Sequence, residues 1–415
     1  MPNPPDRPTD LGELTDLCVK CGLCLPHCPT YGLSRQEGDS PRGRIALIQG
    51  LAAGRLAPER RLTEHLDGCL TCRSCETVCP AKVPYGDVID RGKTLLRARG
   101  VGADRGVGVM RWLARRPGLL RCAPALLELG RRLGVPAIAR RFAPGHWLSR
   151  ALALRPGTGA APRAGTVHEP AGPVRGDVSL FLGCVARGLD GTTLSAAVTA
   201  ATTLGFRVRI PAGQGCCGAL DLHDGRPAAA ATAARRNAQA FGTVAEPILC
   251  AATGCAITLT ETGGDDEVAG TVAARTVELT RFLASRLEDR PLVGPRRPER
   301  VAVHLSCTAR LLPGAGDDLV KILRRIPNVE PVTLGAARCC GAAGHQFLTR
   351  ADQADALRAP LLDELIRLAP DRVVSANAGC ALHLAAGLAE RRGEGPPIPV
   401  THPVTLVVRA LSGDW

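Results

Sequence analysis

One pattern of cysteines, present twice near the start of the chain, constrains its structure more than any other feature. In each copy three cysteines are spaced three residues apart, a fourth follows four residues later, and a proline comes directly after it. The first motif consists of Cys18, Cys21, Cys24 and Cys28, and the second motif consists of Cys69, Cys72, Cys75 and Cys79. This spacing is typical of proteins that bind a pair of 4Fe-4S clusters through cysteine thiolates.

The fourth cysteine of each motif is expected to bind the cluster of the other motif. Three closely spaced thiolates bind three corners of one cube, and in two-cluster ferredoxins the fourth, next to proline, reaches the neighbouring cube. The predicted ligands of cluster 1 are Cys18, Cys21, Cys24 and Cys79, and those of cluster 2 are Cys69, Cys72, Cys75 and Cys28. Zinc is the alternative metal, but it is usually bound by two Cys-x-x-Cys pairs and would leave half of each motif without a role.

The residues between the two motifs indicate which kind of domain carries them. Ser40 and the proline after it precede an apolar run and predict the N-terminus of a helix, which we expect to end near Gly50 or Gly54. A second short helix is expected from 62 to 66. Helices between the motifs favour an N-terminal α-helical ferredoxin domain over the compact β-rich type, and we assign it to residues 1–100.

The positive charge of the chain is concentrated in one segment. Lys and Arg number 52 against 39 Asp and Glu, a formal net charge of +13. Residues 91–163 hold 16 of the basic residues and only two acidic ones, so this segment alone carries +14 and the rest of the chain is close to neutral. The segment also carries Trp112, Trp147 and short apolar runs. It therefore predicts basic amphipathic helices that suit an acidic lipid surface or an acidic protein, and we expect no nucleic acid partner. A solvated connector is the alternative interpretation of residues 101–175, which end in a linker rich in Gly and Pro.

Cysteine content and hydropathy bear on where the protein acts. The sequence begins without a basic and apolar leader, so we expect its 18 cysteines to be ligands in a reducing cytoplasm and not disulfides. No stretch approaches the roughly 18 uninterrupted apolar residues of a membrane span. Any membrane association is therefore expected to be peripheral, at the inner face of the cell membrane.

A second cysteine pattern occurs twice after the linker. Each copy has a cysteine at the end of a strand, a Cys-Cys-Gly turn and a later Gly-Cys. The eight positions are Cys184, Cys216, Cys217 and Cys255 in the first repeat and Cys307, Cys339, Cys340 and Cys380 in the second. Strands and helices alternate in both copies, which predicts an α/β fold of two tandem parallel-sheet cysteine-rich repeats, over residues 176–290 and 298–415. Cysteines at the carboxyl ends of parallel strands converge on the crevice where such folds bind ligands.

We expect these eight cysteines to have a metal or redox role, because thiolates gathered in a protein interior are costly unless they are coordinated or paired. A further iron-sulfur cluster in the repeats is one form of that role. The sequence leaves open whether one repeat, both or neither binds such a cluster.

The second pattern resembles the cysteine-rich repeat of heterodisulfide reductases and their relatives. The full form of that repeat ends in Cys-x-x-Cys, and the first cysteine of this pair is replaced here by Ala252 and by Asn377. Together with the two motifs and the domain order, four further stretches make the chain resemble the iron-sulfur subunit of bacterial glycolate oxidase. These stretches are 39–45, 65–80, 216–219 with His223, and 376–380. The first repeat departs from the family pattern in the residues on either side of Gly254-Cys255, and Cys250 adds a thiol nearby.

The resemblance implies an electron-transfer subunit that has no catalytic residues of its own. In that family an FAD-binding partner subunit oxidises glycolate, and its electrons pass one at a time through the clusters to a quinone or another membrane acceptor. The sequence leads us to expect neither a Gly-x-Gly-x-x-Gly dinucleotide loop nor a pocket of paired acid and base residues.

Three alternatives share parts of this pattern. An iron-sulfur subunit of a related glycerol-3-phosphate or D-lactate dehydrogenase would have the same motifs. A heterodisulfide-reductase-like enzyme would need the full thiolate set of a catalytic cluster, which the loss of both Cys-x-x-Cys pairs disfavours. A zinc-stabilised interaction protein would be colourless, whereas an iron-sulfur protein is brown.

Overall fold

The computed structural model describes residues 10–101, 105–143, 145–157, 159–262, 267–335, 339–392 and 398–415. It divides the chain into two compact units. The first unit comprises Met1–Gly108 together with Leu220–Ala229, and the second comprises Val109–Ala219 and Ala230–Trp415. The finer division predicted from the sequence, with boundaries near residues 100, 175 and 290–298, stays a prediction.

The first unit is helical. Its helices are α1 (Leu11–Asp16), α2 (Pro29–Ser34), α3 (Pro41–Ala52), α4 (Arg60–Asp67) and α5 (Tyr85–Ala98), with a 3-10 turn at Glu37–Asp39. The Ser40 hydroxyl accepts a hydrogen bond from the backbone N–H of Gly43 at 2.9 Å, so α3 begins at the predicted N-cap. Wholly buried side chains such as Leu14, Ile48 and Val88 join α1, α3 and α5 in one core.

The segment Leu220–Ala229 packs on α5 within the first unit. Gly225 has a φ of +74°, and a Cβ there would lie 2.5 Å from the carbonyl carbon of Lys93, so only glycine fits this close approach. The ammonium of Lys93, which is almost fully buried, donates to the carbonyl of His223 at 3.0 Å. Arg97 forms ion pairs with Asp67 and Asp224.

Short helices follow α5 in the basic segment. They are α6 (Arg105–Ala114), α7 (Pro117–Leu120), α8 (Ala123–Arg132), α9 (Val135–Phe142) and α10 (Trp147–Leu152). Within the described ranges, no helix combines the length and the apolar character that a membrane span requires.

The first cysteine-rich repeat is built on a sheet with the strand order β1-β3-β2-β4-β5. Its elements are β1 (Thr166–His168), β2 (Gly176–Phe181), α11 (Val185–Leu189), α12 (Gly191–Thr203), β3 (Phe206–Ile210), α13 (Ala219–Leu222), α14 (Pro227–Phe241), β4 (Ile248–Cys250), α15 (Thr253–Glu261), α16 (Glu267–Arg275), β5 (Thr276–Glu278) and α17 (Leu279–Leu287). Strands β2 to β5 pair in parallel, as predicted. The edge strand β1 is antiparallel to β3 and lies in the stretch predicted to be a linker.

The second repeat has a fully parallel sheet with the order β7-β6-β8-β9. Its elements are β6 (Glu299–His304), α18 (Cys307–Leu311), α19 (Ala315–Arg324), β7 (Val329–Thr333), α20 (Gln346–Thr349), α21 (Ala351–Leu368), β8 (Arg372–Ser375), α22 (Ala378–Arg392), β9 (Val400–Thr401) and α23 (Pro403–Ser412). In both repeats the central strand, β2 or β6, ends just before the first repeat cysteine. The predicted fold class, a helical N-terminal region followed by parallel-sheet repeats, is confirmed.

The two repeats share a hydrophobic core inside the second unit. Val404 and Val407 of α23 are fully buried in the cluster that also contains Leu194 and Ala197 of α12. Burial of apolar side chains from both repeats in one cluster makes each repeat depend on the other for stability.

Candidate metal centres

The backbone of the two motifs follows the same path in the first unit. Lys20 and Thr71 occupy the same position of their motifs, and both have a left-handed backbone, with φ of 58° and 49°. Gly22 and Arg73 are equivalent in the same way, with φ of 88° and 56°. A positive φ is rare for a β-branched residue such as Thr71, because it strains the backbone. Other interactions of the loop therefore offset the free-energy cost of this conformation. Such turns allow successive cysteines to surround one site.

Four cysteines of the two motifs line one cavity. They are Cys28 of the first motif and Cys69, Cys72 and Cys75 of the second. This is the set predicted to bind cluster 2, and the structure thus brings the fourth cysteine of one motif to the first three of the other. The ligand assignment itself stays a prediction that this geometry supports.

The cysteines predicted to bind cluster 1 lie closer to the surface of the unit. Cys21 is exposed, whereas Cys18, Cys24 and Cys79 are half-buried and pack against the hydrophobic core of the first unit. Burial raises the pKa of Cys24, and the nearby thiolates of Cys18 and Cys28 raise it further.

One thiol of this cavity, that of Cys75, resists ionisation. Burial, and then the neighbouring thiolates of Cys72 and Cys69, raise the pKa of Cys75 well above its ordinary value. A bound metal reverses this effect, because a coordinating thiol is deprotonated outright. The donor set, four thiols around one buried cavity, therefore fits an iron-sulfur cluster.

A buried arginine also lines this cavity, and the sequence analysis did not single it out. Arg44 of α3 is 1% exposed, and its guanidinium donates to the hydroxyl of Thr30 at 2.9 Å and to the carbonyl of His65 at 2.7 Å. The Tyr85 hydroxyl lies on the same cavity, 3.6 Å from the sulfur of Cys69. The available sequence signal was an arginine that directly precedes the apolar run of residues 45–48.

The cysteines of the first repeat form a continuous row of sulfurs in the second unit. The sulfurs of Cys184 and Cys216 are 3.5 Å apart. Hydrogen bonds between thiols continue the row from Cys216 to Cys217, from Cys217 to Cys255 and from Cys255 to Cys250. Hydrogen bonds from Cys184 and Cys217 lower the pKa of Cys216, while the pKa values of these two donors are raised.

The second repeat gathers its four cysteines in a similar way. Hydrogen bonds between thiols join Cys307 to Cys339, Cys339 to Cys340 and Cys340 to Cys380. Close packing requires the glycine that follows the Cys-Cys pair of the second repeat. A Cβ at Gly341, which has a φ of +81°, would lie 2.6 Å from the carbonyl oxygen of Ala354.

One sequence expectation needs correction. Residues 213–218 do have the letters Gly-x-Gly-x-x-Gly, although no such loop was expected. A dinucleotide loop opens a long helix whose N-terminus binds the pyrophosphate. Here the last three residues of the stretch form the Cys-Cys-Gly turn. The helix that follows it, α13, has only four residues and is too short for that role. The stretch therefore lacks the structural context of that motif.

Comparison with known families agrees with this arrangement. Residues 15–83 match the family of 4Fe-4S dicluster domains, and residues 178–260 and 301–385 each match the family described as a cysteine-rich domain. Fold and sites together define an iron-sulfur protein in which a dicluster domain precedes two cysteine-rich domains.

Two similar proteins cover nearly the whole chain, and a third covers about half of it. The glycolate oxidase iron-sulfur subunit of Escherichia coli is 32% identical over 92% of this chain and 92% of its own length. The probable glycolate oxidase iron-sulfur subunit of Bacillus subtilis is 29% identical over 97% of this chain and 95% of its own length. Lactate utilization protein A of Geobacillus thermodenitrificans is 28% identical over 54% of this chain and 95% of its own length. The chain belongs to the family of glycolate oxidase iron-sulfur subunits, as its motifs predicted, and is an iron-sulfur subunit of an oxidoreductase.

Proposed function

We propose that this chain is the electron-transfer subunit of a membrane-associated glycolate oxidase, a glycolate dehydrogenase that depends on an electron acceptor. An FAD-binding partner subunit oxidises glycolate, and this chain passes the electrons to a quinone or another membrane acceptor. The observation that carries the proposal is the cavity that Cys28 shares with Cys69, Cys72 and Cys75. Because a cysteine of the first motif reaches the second, two 4Fe-4S clusters bound there would be adjacent, as electron transfer between them requires.

The ligands of these clusters are the two predicted sets, each made of three cysteines from one motif and one from the other. Cys75 belongs to cluster 2 and Cys24 to cluster 1, and both are at least half-buried. A cluster in such a position is shielded from solvent on one side, and burial is one of the factors that set its potential. The five sulfurs of the first repeat would hold a further iron-sulfur cluster.

The identity of the substrate rests on the partner and not on this chain. An iron-sulfur subunit of a D-lactate dehydrogenase is the second candidate, and the similarity of lactate utilization protein A to about half of this chain favours a lactate enzyme among the alternatives. Copurification of a flavin subunit, followed by assays with glycolate, D-lactate and glycerol 3-phosphate, distinguishes these functions. Glycolate is expected to be the substrate that reduces the partner's flavin.

The short helices after the first unit support a peripheral position at the inner face of the cell membrane. Leu126 and Leu129 on α8 are 64% and 54% exposed, and Phe142 on α9 is 81% exposed. Arginines such as Arg132 accompany these apolar side chains. Exposed apolar groups beside cations suit the interface of an anionic leaflet, where about 1 kcal/mol is gained for each basic residue near the surface.

The test is reconstitution with the flavin subunit. The isolated chain is expected to show no glycolate-dependent dye reduction, and the complex is expected to reduce a quinone analogue. Cys75→Ser should abolish quinone reduction while glycolate still reduces the partner's flavin, because the hydride step precedes the clusters. The matched control is Cys122→Ser, since Cys122 is exposed and belongs to neither motif. Glycolate turnover by the isolated chain would contradict the proposal, as would normal quinone reduction by the Cys75→Ser complex.

A further inference from the structure

A histidine lies beside the thiols of the second repeat. His304 is the last residue of β6, three residues before Cys307, and is only 3% exposed. One ring nitrogen of His304 and the sulfurs of Cys340 and Cys380 all lie within 4.8 Å of one another. All three side chains are buried, so this is an enclosed group of one nitrogen and two sulfur donors.

The hydrogen bonds of His304 favour metal binding through one particular nitrogen. Its Nδ1 lies 3.1 Å from the hydroxyl of Ser375, the residue that faces it across the pairing of β6 with β8. Its buried Nε2 has no hydrogen-bond partner among the residues that the structure describes. Metal-binding histidines commonly donate the N–H of one nitrogen to an oxygen and bind the metal with the other.

The ionisation of His304 agrees with this geometry. Burial, and to a smaller extent the charge of Arg310, lower the pKa of His304 to about 4. The imidazole is therefore neutral at physiological pH and has a lone pair available without losing a proton.

The first repeat has no equivalent nitrogen. In its sheet Phe181 occupies the position of His304, and Cys250 occupies the position of Ser375, as the pairing of β2 with β4 shows. The two repeats thus differ at the same pair of facing positions. The first repeat has a fifth thiol at this pair of positions, whereas the second repeat has an imidazole that is hydrogen-bonded to a hydroxyl.

We propose that the second repeat binds a single Zn²⁺ ion through Nε2 of His304 and the thiolates of Cys340 and Cys380. In a tetrahedral zinc site with bonds of about 2.0–2.3 Å, neighbouring ligand atoms lie about 3.3–3.8 Å apart, which falls within the 4.8 Å that bounds every separation in this group. The thiols of Cys339 and Cys307 are the nearby candidates for the fourth ligand. Zinc binding releases the thiol protons of Cys340 and Cys380, and no oxidant or reductant is involved.

The zinc site goes beyond the proposed electron-transfer function and does not depend on it. Zinc does not change its oxidation state in proteins, so the second repeat would be a structural module outside the electron path. Two repeats that match the same domain family would then bind different metals because their residues differ at two facing positions.

The experiment measures zinc and iron in the full chain purified anaerobically. About one zinc per chain is expected beside the iron of the clusters. His304→Phe, which copies Phe181 of the first repeat, is expected to lower the zinc content at least about tenfold and to leave the iron content unchanged. The control is His402→Asn, since His402 is another buried histidine of this repeat and asparagine can still cap α23.

Two further measurements cover the case in which His304→Phe fails to fold. Ser375→Ala keeps every metal ligand, and it should weaken zinc binding about 10–100-fold in competition with a chelator, the usual effect of removing such a partner. X-ray absorption at the zinc edge of the unaltered protein should show nitrogen and sulfur ligands together. Absence of zinc from the unaltered protein, an all-sulfur zinc spectrum, or loss of iron in place of zinc in His304→Phe would each overturn the proposal. None of these results bears on quinone reduction, which tests the proposed function separately.

Discussion

Arg44 and Thr30 are joined by a hydrogen bond of 2.9 Å, in which the guanidinium donates to the hydroxyl. The same hydroxyl lies 3.3 Å from the sulfur of Cys28. A fully buried cation is thus separated from a predicted ligand of cluster 2 by one hydroxyl group. A positive charge in that position favours the reduced, more negative state of a cluster.

We therefore expect Arg44→Met to lower the reduction potential of cluster 2. A unit charge about 8 Å away at an effective dielectric constant of about 20 contributes about 2 kcal/mol, or roughly 90 mV for one electron. A redox titration followed by electron paramagnetic resonance measures the shift. Arg60→Met is the control, because the Arg60 side chain is 92% exposed. An unchanged potential in Arg44→Met, or an equal shift in both clusters, would contradict the expectation.

Tyr85→Phe should also lower the potential of cluster 2, by less than the arginine substitution. Burial raises the pKa of Tyr85, so its hydroxyl keeps its proton and can donate to the sulfur of Cys69. Hydrogen bonds to cluster sulfurs raise the potential. The same titration measures the change, with Tyr31→Phe as the control. A potential equal to that of the unaltered protein would show that the hydroxyl does not act on the cluster.

The crossed ligand sets predict opposite effects for two serine variants. Cys28→Ser should damage cluster 2 and spare cluster 1, whereas Cys79→Ser should do the reverse. In the unaltered protein the two reduced clusters should interact magnetically, and each variant should lose that interaction. Damage to cluster 1 alone in Cys28→Ser would mean that each motif binds its own cluster.

Membrane attachment is expected to depend on the exposed apolar face of α8. The double variant Leu126→Asp, Leu129→Asp should sediment with vesicles of anionic lipid several-fold less than the unaltered protein, because each new carboxylate opposes insertion and is repelled by the lipid charge. Val244→Asp is the control, since Val244 is 47% exposed and lies outside the basic segment. If the protein did not bind anionic vesicles at all, the basic segment would be a solvated connector.

Local patterns explain how much of the fold the sequence predicted. The cap at Ser40 depends on neighbouring residues only, and it matches the structure. The spacing of the motif cysteines is equally local, and the ligand sets inferred from it stay a prediction. The strand β1 was missed because three residues among Gly and Pro carry almost no periodic signal, and its pairing with β3 is long-range. Arg44 and His304 were missed because the side chains that surround them in the structure are distant from them in sequence.

The ten residues Leu220–Ala229 determine when the first unit can complete its folding during synthesis. They complete the first unit, yet they are encoded in the middle of the first repeat. A fragment that stops at Gly108 would lack the carbonyl of His223, and the buried ammonium of Lys93 would lose that partner. During synthesis the unit that carries both cysteine motifs can therefore reach its final form only after Ala229 has left the ribosome, more than a hundred residues after the end of α5.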